Sequence, residues 1–256
     1  MPAAKSADIA DAAEVANAAR TDDTAGLGNR PERLEWLQDA GFGVFVHWSM
    51  DSQLGCVISH TLVGASEDYQ RRFYEELPQT FNPMRWAPDE MAALVKLAGA
   101  RYMVFTTKHH SGFCMWDTAT TDFNIMNTPF GRDIVAEYVQ AMRAAGLGVG
   151  FYYSPEDWWY QRSVGLPIRR LALDEDGKGV PYCSTLSGEV LRGYQDHVRA
   201  QCTELMTKFG PIDLIFFDGG LNEPAGVLDL GNSGTAVRLL MGLAGGHAFS
   251  STFTGD

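Results

Sequence analysis

Four short apolar runs recur along this 256-residue chain, at 43–47 (GVFVH), 102–106 (YMVFT), 149–153 (VGFYY) and 213–218 (DLIFFD). They are rich in β-branched and aromatic residues and do not alternate with polar ones, the pattern of strands buried on both faces. Between them lie amphipathic segments with helical spacing: Met91, Leu94, Val95 and Ala98; Ile134, Val135, Tyr138 and Met142; and Leu191, Tyr194, Val198, Cys202, Leu205 and Phe209. Pro88 and Asp89 stand where a helix would start, and Gly99, Gly146 and Gly210 where helices would stop. Strands alternating with helices predict a parallel sheet built from βαβ units, compatible with a (β/α)8 barrel or a doubly wound sheet.

The strand ends favour the barrel. His47 follows the first run, Lys108, His109 and His110 the second, Tyr152, Tyr153 and Ser154 close the third, and Asp218 the fourth. In a barrel such carboxyl ends converge on one mouth, where enzymes of this architecture place their chemistry. Long loops after the first and third strands carry Tyr69, Phe73, Trp158, Trp159 and Tyr160, suited to shaping a pocket.

Composition narrows what that mouth can bind. A formal net charge of −12 argues against a nucleic-acid surface, since phosphate binding needs clustered Lys and Arg. Apolar residues at 45 % and charged residues at 20 % are ordinary for a soluble globular protein and too polar for a membrane protein. The first thirty residues are Ala-rich and polar with no apolar run, which predicts a poorly ordered tail and a cytoplasmic protein. Cys56, Cys114, Cys183 and Cys202 form no C-x-x-C pair, so neither zinc nor a disulfide framework is indicated.

Asp218 closes an apolar run and precedes two glycines, so its carboxylate stands at the lip of a low-dielectric wall with little bulk beyond it. That placement suits a nucleophile in a retaining glycosidase; an Asp that caps the next element or pairs with a Lys fits the same position. His47, His109 and His110 can both donate and accept hydrogen bonds, as a sugar ring requires. Metal ligation by them lacks an H-E-x-x-H or comparable carboxylate spacing. Trp48 and Trp116, each beside a strand-end motif, are candidates for a pocket wall against a sugar face.

Taken together, the segments 41–48 (GFGVFVHW), 105–117 (FTTKHHSGFCMWD), 121–133 (TDFNIMNTPFGRD), 150–154 (GFYYS) and 216–218 (FFD) resemble, in order, the motifs of the family 29 α-L-fucosidases. The resemblance covers residues 31–219 and implies about four units of a (β/α)8 barrel, left incomplete. It implies retaining hydrolysis of terminal α-L-fucose from fucosylated oligosaccharides or glycoconjugates, with no metal or organic cofactor. By motif, Asp218 would be the nucleophile, His47, His109 and His110 would hold fucose hydroxyls, and Tyr153 would line the pocket. The acid/base residue comes from later strands in that family and has no match here, which leaves a fucose-binding remnant without hydrolysis as the alternative function. An open barrel edge would favour self-association.

Residues 220–256 resemble instead a fragment of the enolpyruvylshikimate-phosphate synthases. In that resemblance Asn232, Ser233, Thr235 and Arg238 match an anion-binding turn that opens a helix, and an enolpyruvyl transferase reading rests on this segment alone. The expected organisation is a tail over 1–30, a partial fucosidase-like domain over 31–219 and a short unrelated segment over 220–256.

Overall fold

A computed structural model describes residues 31–169, 171–173, 179–218, 228–229 and 253–254. The chain divides into two units, Met1–Gly41 and Phe42–Asp256. In the first, helix α1 (Pro31–Ala40) stands with none of its residues buried.

The second unit is built on a four-stranded, wholly parallel sheet of β1 (Gly43–Val46), β2 (Tyr102–Lys108), β3 (Gly148–Tyr153) and β6 (Leu214–Phe217). The strands stand in the order β1-β2-β3-β6, so each new strand is added on the same side and the order never reverses. Helices α2 (Glu67–Glu75) and α3 (Pro88–Leu97) connect the first pair, α4 (Ile134–Ala144) the second, and α5 (Trp158–Ser163) and α6 (Gly188–Lys208) the third. An antiparallel ribbon of β4 (Leu171–Leu173) and β5 (Gly179–Pro181) lies within the last crossover. Two-residue strands β7 (Leu228–Asp229) and β8 (Phe253–Thr254) pair in parallel.

The four apolar runs and three helical stripes thus become the elements they predict. Pro88 opens α3, and α3 and α4 each end two residues before Gly99 and Gly146. Helices α2 and α5 and the β4–β5 ribbon carried no such signal. The first two are short and set by caps: Ser66 Oγ accepts the Tyr69 N–H at 3.3 Å, and Asp157 Oδ1 accepts that of Tyr160 at 2.8 Å. No described helix is long and apolar enough to cross a membrane.

The core lies between the sheet and its helices. Met103, Phe105, Val149 and Phe151 face Ile134, Val135, Tyr138 and Met142, all buried. Tyr138 reaches through this layer: its hydroxyl donates to Met103 O at 2.6 Å and accepts the Gly150 N–H at 3.3 Å, while its ring stacks on Phe105. A side chain at position 150 is excluded, because a Cβ there would lie 2.9 Å from Met103 O and from Val104 Cγ2. Tyr138→Phe removes a buried hydroxyl from the backbone of two strands and is expected to cost about 1 kcal/mol in urea unfolding, the ordinary net worth of a hydrogen bond; no measurable loss would show that the hydroxyl is dispensable.

Candidate active site

Side chains alternate along a strand, so the sheet face opposite the helices collects its own set. Phe45, His47, Tyr152, Phe216 and Asp218 meet there, with ring centroids 4.5 Å apart for His47 and Tyr152 and 5.3 Å for Phe45 and Phe216. Asp218 lies one residue beyond β6 and continues its ladder, with its N–H donating to Tyr153 O at 3.0 Å. The Tyr152 hydroxyl donates to Asp218 Oδ2.

A slip in register between Thr106 and Lys108 alters the end of β2. It turns Lys108 into the helix side, with Nζ over the Tyr153 ring at 4.8 Å and 3.0 Å from Asp157 Oδ2, both side chains fully buried. Burial alone would raise the Asp157 carboxyl, but Lys108, His197 and the Tyr160 N–H outweigh it and hold the group well below the ordinary carboxylate range. The turn that follows carries His109, His110 and Ser111. At Gly112, φ is +87° and a Cβ would fall 2.4 Å from Asp157 Oδ1, so the turn is pressed against this pair with no room for a side chain. The Trp158 N–H donates to His110 O at 2.8 Å from the same side.

Hydrogen bonds assign the three histidine tautomers. Ser154 Oγ donates to Glu156 O at 3.0 Å, so it accepts from His110 Nδ1–H at 2.6 Å. Thr106 Oγ1 donates to Val46 O at 2.9 Å, so it accepts from His47 Nδ1–H at 3.2 Å. His109 is the reverse, its Nδ1 accepting the His110 N–H at 2.9 Å, which leaves the proton on Nε2. In their neutral forms His47 and His110 therefore carry an Nε2 lone pair and His109 an Nε2–H. Burial lowers the pKa of His47 against the opposing pull of Asp218, which keeps its imidazole neutral at neutral pH. His110 Nε2 lies 3.6 Å from Asp218 Oδ2.

His109, His110 and Asp218 place potential ligand atoms within 4.8 Å of one another, close enough to surround a cation. The tautomers weigh against that use. His109 could offer Nε2 to a metal only by moving its proton to Nδ1, against the His110 N–H that already points there. Acceptors on two rings, a donor on the third and a carboxylate with a phenol suit hydroxyl groups better.

The sequence profile of the α-L-fucosidase family matches residues 9–242. The chain belongs to the α-L-fucosidase family. Mouse tissue α-L-fucosidase is 34 % identical over 154 residues, covering 55 % of this chain and 34 % of its own length. The solved α-L-fucosidase isoenzyme 1 of Paenibacillus thiaminolyticus is 33 % identical with a TM-score of 0.60, over 82 % of this chain and 48 % of that one. AlfC, solved with Fucα(1,6)GlcNAc, is 26 % identical with a TM-score of 0.51, over 77 % of this chain and 62 % of its own. The chain spans 41 % of the length of its Caenorhabditis elegans relative.

In this fucosidase-family chain the structure brings together four of the residues singled out in sequence, Asp218, His47, His109 and His110. Tyr153 falls elsewhere, because alternation along β3 sends it to the helix side, where its hydroxyl donates to Gln201 Oε1 at 2.7 Å. Tyr152 takes the place beside Asp218, and period-two counting from the strand end would have shown it. Trp48 and Trp116 also lie outside the cluster. Trp48 stacks on Trp86 at 5.2 Å in the aromatic layer under α3, and Trp116 is fully buried with Nε1–H donating to Glu204 of α6 at 2.9 Å. Asn232, Ser233, Thr235 and Arg238 lie outside the described residues. The family match continues past Gly219 to Gly242, across the expected change of family, and the synthase resemblance of 220–256 draws no support from the relatives.

Lys108→Met leaves the fully buried Asp157 carboxylate without its cation, and removal of one partner of a buried pair costs about 3–5 kcal/mol. Urea unfolding of this variant should show that loss, and Lys108→Met with Asp157→Asn should recover part of it. Equal stability in single and double variants would mean that the charge of Asp157 is balanced elsewhere.

Proposed function

We propose that the cluster is the fucose-binding centre of a retaining α-L-fucosidase, and that the sheet is an arc of the (β/α)8 barrel that carries it. The unreversed order of four parallel strands supports the barrel reading, since a doubly wound sheet reverses its order where its ligand binds. The observation that carries the functional reading is the carboxylate of Asp218 at a strand end, held by the Tyr152 phenol and faced by His110 Nε2.

L-Fucose presents hydroxyls and a C5 methyl group. The donors and acceptors of His47, His109 and His110 answer the hydroxyls, and the Phe45 and Phe216 rings on the same face offer apolar surface for the methyl. Asp218 is the nucleophile in this reading. One carboxylate oxygen attacks the anomeric carbon as the bond to the aglycone oxygen breaks, and that oxygen takes a proton from a general acid. Water then attacks the same carbon, gives up a proton and frees both fucose and Asp218. The Tyr152 hydrogen bond holds the carboxylate aimed before attack and weakens as its charge passes to the new ester bond.

Among the described residues Glu156 is a further carboxyl near the cluster, and it is not placed to serve as the acid. It lies on the Nδ1 side of His110, 4.0 Å away, with the ring between it and Asp218, and it accepts the Trp158 indole N–H at 2.8 Å. The complex of AlfC with Fucα(1,6)GlcNAc supports a fucosylated saccharide as the substrate class.

Calorimetry with L-fucose tests the site apart from turnover. Binding is expected, with a loss of about tenfold or more on His110→Ala, the scale of a lost hydrogen bond to a desolvated group. Release of nitrophenol from an aryl α-L-fucoside, abolished in Asp218→Ala, is the expected activity. Fucose binding without turnover would reduce the reading to a fucose-binding protein, and failure of both would overturn it.

A further inference from the structure

We propose that Ser154 is a positioning residue acting through His110: by holding the one proton of the neutral ring on Nδ1, it keeps Nε2 bare and Asp218 free of a hydrogen bond from that ring. The consequence for catalysis rests on the reading of Asp218 as the nucleophile, and the place of the proton rests on geometry alone.

A neutral imidazole carries one proton and two nitrogens, and on His110 the two face different acceptors. Nδ1 lies 2.6 Å from Ser154 Oγ, and Nε2 lies 3.6 Å from Asp218 Oδ2. An ionised carboxylate is the stronger acceptor and draws the proton toward Nε2. Distance opposes it, since 3.6 Å is too long for a hydrogen bond and 2.6 Å is a close one. The hydroxyl must also present a lone pair to the ring rather than its own proton. That proton goes to Glu156 O at 3.0 Å, and the carbonyl is fixed in turn by Lys108 Nζ at 3.3 Å. Ser154 is fully buried just beyond β3, and its N–H donates to Lys108 O at 3.0 Å, so its place is set by the backbone of the neighbouring strand.

His110 is equally confined. Its ring lies 4.4 Å from that of His109, edge to face, and 5.5 Å from that of Trp158. The turn that carries it is held on both sides. The Trp158 N–H donates to His110 O at 2.8 Å on one. On the other, Ser111 Oγ donates to Asp51 Oδ2 and the Tyr74 hydroxyl donates to Ser111 O, both at 3.3 Å. Asp51 lies fully buried in the 3-10 turn Met50–Leu54.

A ring so confined answers the loss of one acceptor by moving its proton rather than itself. Without the Ser154 hydroxyl, Asp218 is the nearer of the two flanking carboxyls, because Glu156 Oε2 lies 4.0 Å from Nδ1. The proton then sits on Nε2 and binds Asp218, whose Oδ2 already takes the Tyr152 hydroxyl. A further donor on that carboxylate draws off the charge that attack needs, and a protonated Nε2 no longer accepts a sugar hydroxyl.

The test reads the 15N resonances of the His110 imidazole, identified by their absence from His110→Gln, in wild type, Ser154→Ala and Ser154→Thr at neutral pH. In wild type Nδ1 should be protonated and Nε2 bare. In Ser154→Ala Nε2 should carry a proton, whether or not Nδ1 keeps one, and Ser154→Thr, which retains the hydroxyl, should show the wild-type pattern. The rate of covalent labelling by saturating 2-deoxy-2-fluoro-fucosyl fluoride should fall about tenfold or more in Ser154→Ala, the scale of one hydrogen bond to a charged group, and recover in Ser154→Thr. A bare Nε2 in Ser154→Ala, or a protonated one in wild type, would overturn the proposal. So would a moved proton with an unchanged labelling rate, since Asp218 would then not be restrained by it. If wild type takes no label, the nucleophile reading fails, and the 15N pattern alone decides on Ser154. Should Ser154→Ala not fold, Ser154→Cys reads the same exchange, because a thiol is a weak acceptor.

Discussion

The buried ion pair of Lys108 and Asp157 is the constraint on which the rest of the site depends. A charge pair in a low-dielectric interior tolerates little displacement, because separation exposes two desolvated ions to a medium that cannot solvate them. Here the two partners terminate different elements. Lys108 ends β2 and Asp157 caps α5, so the pair fixes the carboxyl ends of β2 and β3 relative to one another. Lys108 also donates to Glu156 O, the carbonyl that takes the Ser154 proton and so sets the tautomer of His110. The orientation of a ring facing Asp218 is thus passed down from a pair that does not itself reach the cluster.

Two buried carboxyls flank the same turn and are handled in opposite ways. Asp157 is held ionised because a lysine, a histidine and a helix N-terminus surround it, and burial pushes the Asp51 carboxyl up against the pull of its hydrogen bonds, with no cation among the groups that shift it. Between them the chain carries His109 and His110 in fixed and opposed tautomers.

Much of this was legible in the sequence because it depends on periodicity and on residue type at strand ends. The four strands, the three longer helices and the grouping of His47, His109, His110 and Asp218 follow from apolar runs that each finish in a polar residue. What was not legible depends on direction. Tyr152 and Tyr153 are equivalent in composition and differ only in which face the pleat gives them. Trp48 adjoins His47 in sequence and for that reason points away from it in space, while Trp116 lies in a bend beyond the histidine turn and is buried with its indole N–H on Glu204. Lys108 would face the site in a regular strand, and a register slip that no residue type announces turns it inward among the helices. Asp51 had no signal, since a carboxylate after a strand reads as solvated until burial is known.

The central claim is that Asp218, held by Tyr152 and faced by His110, attacks the anomeric carbon of an α-L-fucoside. A fluoride leaving group departs without a proton, so 2-deoxy-2-fluoro-fucosyl fluoride isolates that step from proton donation to the leaving group, and the ring fluorine slows release of the ester. Intact mass and peptide mapping after incubation should show one fluorofucosyl adduct on the peptide containing Asp218, absent from Asp218→Ala. No adduct, or an adduct on another carboxylate that persists in Asp218→Ala, would contradict the assignment.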